Sequence, residues 1–217
     1  MVDICVKFCK NYPKKLQKRT ILANFKTNRI LMPFAKTLNQ FVQTQDRFQI
    51  KLGHLVAWGS LTLVLLTALI VILRYGFNTG SIAMQEAVMY NHAILFMLGI
   101  AYTYQQNQHV RVDVFYSQAS PTRKAWINLL GVLFLALPSM LYLLWTGWDY
   151  VSASWAVQET SAEAGGLAYL YLLKTLILIM AVLVMLQSLS EMAKSWLQIR
   201  YPEASYKDTL TETEGKL

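Results

Sequence analysis

The stretch Leu52–Leu73, LGHLVAWGSLTLVLLTALIVIL, carries a single titratable side chain, His54, in 22 residues. Wound as a helix at 1.5 Å per residue it is ~33 Å long, enough to cross a hydrocarbon core of ~30 Å. Three further runs share this character: Ile82–Tyr104, Ala125–Val151 and Leu167–Leu189. A chain that is 55% hydrophobic and only 15% charged fits a small helical bundle in lipid better than a water-soluble domain. The expectation is an all-α integral membrane protein with four transmembrane helices, spanning about 52–75, 81–106, 122–153 and 167–197. A basic segment, 1–50, precedes them and a short tail, 198–217, follows.

The charges flanking these runs set the orientation. Eleven of the 20 Lys and Arg precede the first run, against Asp3 and Asp46 alone. Arg111, Arg123 and Lys124 lie between the second and third runs, and Lys194, Arg200, Lys207 and Lys216 follow toward the C-terminus. The other two connections hold Arg74 in one and Asp149, Glu159 and Glu163, with Lys174 at the far edge, in the other. Positive charge gathers on the cytoplasmic side, so both termini and the middle loop are expected there. The net charge of +8 then reflects orientation and contact with anionic headgroups, and not nucleic-acid binding.

The N-terminal segment has no uninterrupted apolar region or cleavage site and is not read as a secretory signal. From Met32 to Ile50 the spacing of Phe34, Leu38, Phe41, Val42, Phe48 and Ile50 predicts an amphipathic helix on the inner surface, turning into span one. Residues 1–30 read equally well as a loosely ordered tail. Cys5 and Cys9, the only cysteines, are read as free thiols. Trp58, Trp126 and Trp196 mark one interface, and Trp145, Trp148, Tyr150, Tyr169 and Tyr171 the other. Ser120-Pro121 reads as an N-cap followed by proline in the first turn. The third run is too long for one core, so it must tilt, kink at Pro138 or project outward.

Polar residues near the spans are the candidates for function. Arg74 and Glu86 flank the turn Tyr75–Ser81, and an ion pair across that hairpin, a structural clamp, is expected. Lys174 could snorkel outward or meet Glu159 or Glu163, and Glu191 is expected to snorkel. His92, beside Asn91, is expected to make an interhelical hydrogen bond. A haem-bearing or redox-active membrane anchor is the alternative reading. It is disfavoured because His54 and His92 should lie ~15 Å apart along the helix axes, whereas bis-imidazole ligation needs matching depth. No cofactor, metal site or catalytic constellation is expected: no phosphate loop, nucleophile elbow or carboxylate pair is present.

The segment Arg74-Tyr75-Gly76-Phe77-Asn78, followed by Glu86, Gly99 and His109-Val110-Arg111-Val112-Asp113, resembles the small membrane subunit of tripartite ATP-independent periplasmic (TRAP) transporters, the DctQ-like family. The similarity extends through Ser154-Trp155, Glu159, Ser161 and Gln187, from about His54 to Trp196. Gln85 departs from the pattern, since many members carry a second acidic residue there. The resemblance implies a multi-pass protein of the bacterial inner membrane. It would brace a large membrane subunit during cation-coupled uptake of an organic acid delivered by a periplasmic substrate-binding protein. The wording of Ser154–Gly166 is similar to members associated with 2-oxo acids, lactate or related carboxylates. Arg74, Asn78, Glu86, His92, His109, Arg111, Asp113, Trp155, Glu159 and Lys174 are the candidate structural and interface residues. Among them Arg111 is expected to meet headgroups or a partner, and Asp113 to cap the loop.

Overall fold

The computed structural model describes residues 33–106 and 119–200. Among them every regular element is a helix, and there are no strands. The helices are α1 (Pro33–Gly76), α2 (Ile82–Gln105), α3 (Pro121–Gly131), α4 (Leu137–Ala156) and α5 (Leu170–Arg200). A five-residue π-helical segment, Val132–Ala136, joins α3 to α4 without interrupting the rod. The candidates His109, Arg111 and Asp113 lie outside the described residues, as do Cys5 and Cys9.

Three rods are long and apolar enough to cross a membrane: Thr37–Gly76, Pro121–Ala156 and Leu170–Arg200. α2 is not one of them. Its 24 residues give ~36 Å, sufficient in length, but Gln85, Glu86, Asn91 and His92 dilute its first half. Length and composition therefore support three of the four expected crossings outright.

α1 runs 44 residues without a break, ~66 Å, about twice a hydrocarbon core. The surface helix expected to turn into span one is instead the beginning of α1. Nothing near residue 50 breaks a helix, and one face stays buried through the junction. Asn39, Val42, Gln45 and Gln49 are buried, and the Gln49 amide donates to the Leu183 carbonyl of α5 at 3.4 Å. Gly53 continues that contact: a Cβ there would come within 2.4 Å of the Tyr102 ring.

The π segment answers the problem posed by Pro138. A helical proline has no N–H to donate, and its ring crowds the carbonyl four residues back. Widening the preceding turn relieves that crowding. The Leu137 N–H accordingly reaches five residues back, to Val132, and the Ser139 hydroxyl donates to the Leu135 carbonyl at 2.6 Å.

α5 is the axis of the fold. It packs on α1, α2, α3 and α4, whereas substantial packing joins neither α1 nor α2 to α3 or α4. Ala181, Ser188 and Ser195 recur every seven residues along it, as do Leu183, Ser190 and Leu197, and all six are buried. Small side chains at such spacing let helices approach closely where no water drives them together. Ala101, Leu183 and Val184 form the apolar centre, flanked by Leu52, Leu98 and Met180. The result is an open layer of helices. Large apolar residues such as Trp58, Leu65, Phe134, Leu135 and Trp145 stand mostly exposed, a surface that lipid or another protein must cover.

Candidate functional site

The α1–α2 hairpin closes through its backbone. The Leu73 carbonyl accepts the N–H groups of Phe77 at 3.2 Å and Thr79 at 3.0 Å. Asn78 turns the chain with a φ of 51°, a left-handed conformation that asparagine tolerates better than most residues. Ser81 then caps α2, its hydroxyl accepting the Met84 N–H at 3.4 Å. Asn78 therefore shapes the reversal. Arg74, exposed, lines an open groove with Tyr75, Asn78, Gly80, Ser81, Ile82 and Gln85.

The expected Arg74–Glu86 ion pair does not form: among the described residues no carboxylate lies within 4 Å of the Arg74 guanidinium. Glu86 is engaged elsewhere. Its carboxylate accepts the Ser161 hydroxyl on one oxygen and the Leu167 N–H, at 2.6 Å, on the other. The connection between α4 and α5 is curled around it. The Ser161 N–H donates to the Leu167 carbonyl at 3.1 Å, and the Ser161 hydroxyl accepts the Glu163 N–H at 3.1 Å. Gly165 takes a φ of 86°. Gly166 passes so close that a Cβ would lie 2.4 Å from the Ser161 hydroxyl and 2.7 Å from the Glu86 carboxylate. Here a backbone loop, and not a cation, satisfies the acid.

A second set of contacts ties the end of α4 to the start of α5. Glu159 accepts the Ser154 hydroxyl at 2.7 Å and the Lys174 ammonium at 2.5 Å. Of the two partners open to Lys174, the structure selects Glu159. The ammonium also sits 4.2 Å from the Tyr150 ring centroid, a cation–π contact. The Lys174 ammonium, then the Ser154 hydroxyl, hold the Glu159 carboxyl below its usual range, against the opposing effect of partial burial. Trp155 donates its indole N–H to the Thr175 hydroxyl at 2.8 Å and meets Tyr171 edge to face, 4.7 Å between centroids. Glu86, Trp155, Glu159 and Lys174 thus share one end of the molecule as two neighbouring latches.

Midway along α2 the interhelical bond belongs to Asn91. Its amide donates to the Gly59 carbonyl at 3.2 Å and the Thr62 hydroxyl at 2.8 Å, both on α1. His92, one residue and ~100° further round the helix, is exposed and stacks on Phe96 at 6.4 Å. The hydrogen bond expected of His92 is thereby corrected to its neighbour. His54 stands one residue from Gly53, which abuts Tyr102, so it lies about ten residues of α2 from His92. These two imidazoles do not share a level.

The opposite end holds a cluster that sequence reading missed. Lys194 pairs with Asp46 of α1 at 3.0 Å and with Glu191 at 2.7 Å. The Gln187 amide donates to Glu191 at 3.2 Å and, more loosely, to Asp46 at 3.5 Å. Gln105 of α2 donates to the Asp46 carbonyl at 3.0 Å. Glu191 is thus bound within the protein, where snorkelling was expected. The available signal was a polar stripe, Gln187, Glu191 and Lys194, at helical spacing in an otherwise apolar rod.

The carboxylates of Asp46, Glu86, Glu159 and Glu191 and the ammonium groups of Lys174 and Lys194 are all engaged within the chain. Among the described residues no three His, Cys, Asp or Glu side chains gather closely enough to hold a metal. The chemistry on offer is fastening. Residues 63–198, well over half of the chain, match the family model described as tripartite ATP-independent periplasmic transporters, DctQ component. No curated protein and no solved structure matches the chain.

Proposed function

The chain belongs to the DctQ family of tripartite ATP-independent periplasmic transporter components, and from that premise we propose that it is the stationary brace of such a transporter. Membership makes it a component of a transport system and not an enzyme. In this reading it crosses the bacterial inner membrane four times, α2 included, with both termini in the cytoplasm. α2 completes the set because two of its polar side chains are accommodated by neighbours: Glu86 by the loop, Asn91 by α1. Its partners are a large membrane subunit, which carries the substrate and ion sites, and a periplasmic binding protein. The transported solute is an organic acid, moved with a cation. Arg111 belongs to the partner or headgroup contacts of the cytoplasmic loop.

The observation that carries this reading is the open layer. α1 and α2 pack on each other and all four helices pack on α5, an arrangement that leaves broad apolar faces exposed, while the ion pairs and the Glu86 carboxylate are consumed in latches. A brace needs outward faces and a rigid interior, and a self-sufficient carrier needs a polar path. Copurification tests it: affinity capture of this chain should bring down a much larger many-spanning protein. Recovery of the chain alone, from membranes that contain that protein, would contradict the proposal.

A further inference from the structure

Among the described residues, nothing covers one face of α2. Gln85, Met89, His92, Phe96 and Gly99 follow one another at alternating steps of four and three residues, the spacing that puts side chains on a single seam. Gln85 and His92 are exposed, and Met89 and Phe96 retain 51% and 64% of their surface. Gly99 completes the stripe, and a Cβ built there would meet nothing within 4 Å. No described residue therefore packs on the glycine. Bare backbone on an exposed membrane helix is what allows a second helix to come close.

His92 argues against lipid as the covering. It lies near the middle of the helix, and hydrocarbon offers an imidazole no hydrogen bond. It also argues against a second copy. Copies inserted in the same sense pair about an axis normal to the membrane, setting His92 against His92 and Gln85 against Gln85. Two neutral imidazoles so placed make one hydrogen bond and leave one donor and one acceptor unmet. A different helix, with its own polar group at that depth, satisfies the site.

We propose that this stripe seats one transmembrane helix of the large subunit, closest at Gly99 and hydrogen-bonded to His92. The assignment rests on the brace reading and names the face it uses.

The test uses the assembled complex in native membranes, with a photoreactive p-benzoylphenylalanine at Met89 or Phe96, and at Leu65 or Phe134 for comparison. Illumination should join Met89 and Phe96 variants to the large subunit. Adducts with the large subunit confined to Leu65 or Phe134 would overturn the face while leaving the brace reading intact. Adducts between two copies of this chain at Met89 or Phe96 would overturn it also. Absence of the large subunit from the purified wild type would overturn both.

Two substitutions separate docking from folding. Gly99→Leu projects into open space, so the isolated chain should keep its melting temperature while complex recovery falls about tenfold. A melting temperature lowered in the isolated chain, or undiminished recovery, would refute the seat. His92→Leu should lower recovery about threefold, and His92→Gln, which retains hydrogen bonding, should restore most of it. Equal recovery for both variants would remove His92 from the contact.

Discussion

Glu86, at the hairpin end, takes its donors from the α4–α5 loop, and Glu159, on that loop, takes Ser154 and Lys174 from the flanking helices, whereas Asp46 and Glu191, at the far end, share one ammonium between helices. The loop supplies backbone N–H groups and flexible hydroxyls, so the Glu86 carboxylate is bonded on both oxygens. A helix–helix interface has already committed its backbone and can offer only side chains. The far end shows the consequence. The Gln45 amide nitrogen, the Gln49 and Gln187 amide oxygens, and the Ser188 and Ser190 hydroxyls are buried without partners among the described residues. One end is a finished latch; the other is a lock held mainly by charge.

The sharpest way to break this contrast is Lys194→Met. It would leave two carboxylates unpaired, each about a quarter exposed. Removing one partner of a buried pair costs 3–5 kcal/mol, and partial exposure puts the expected loss near the lower bound, about 3 kcal/mol. Unfolding in mixed micelles measures it, and a loss under about 0.5 kcal/mol would mean the far end is not charge-held. Next comes Gly166→Ala, whose methyl overlaps Ser161 and Glu86. A loss of about 2 kcal/mol is expected by the same assay, since overpacking commonly costs ~1–3 kcal/mol. Glu86→Gln keeps an acceptor for one loop donor and should cost about 1 kcal/mol. If Gly166→Ala and Glu86→Gln are both silent, the latch does not fix the loop.

Acid should separate the two ends further. The Glu159 carboxyl is held below its ordinary range, so its contribution is complete above the ordinary carboxylate value of ~4.3 and is lost as pH falls through the lower folded value. Thermal midpoints taken from pH 7 to pH 3 should fall on the acid side, and Glu159→Gln should flatten that part of the profile. A fall unchanged by the substitution assigns it to other groups. The smallest effect belongs to Arg74→Ala, expected within about 0.5 kcal/mol because no carboxylate among the described residues holds the side chain. A larger loss would restore the hairpin clamp.

Helix placement was legible wherever a boundary has local chemistry. The expected run 81–106 became Ile82–Gln105, and 122–153 became Pro121–Ala156 across the π segment. Ser120 caps α3 as its sequence suggested, accepting the Arg123 N–H at 3.4 Å. The pairing of charges was not legible. Arg74 and Glu86 lie twelve residues apart with opposite signs, yet the donors that satisfy Glu86 are 75 and 81 residues away, and one is a backbone N–H without any sequence signature. The choice between Asn91 and His92 failed for another reason. A helix apolar on most sides has no phase to show which polar neighbour turns inward. Asp46 was hidden by distance, being 141 residues from Gln187 and 148 from Lys194 along the chain.

The most direct measurement is solute uptake into sealed vesicles, reconstituted with this chain alone, with the large subunit and binding protein alone, and with all three. The account predicts cation-driven uptake of an organic acid only where all three are present. Uptake by this chain alone, or undiminished uptake without it, would contradict it.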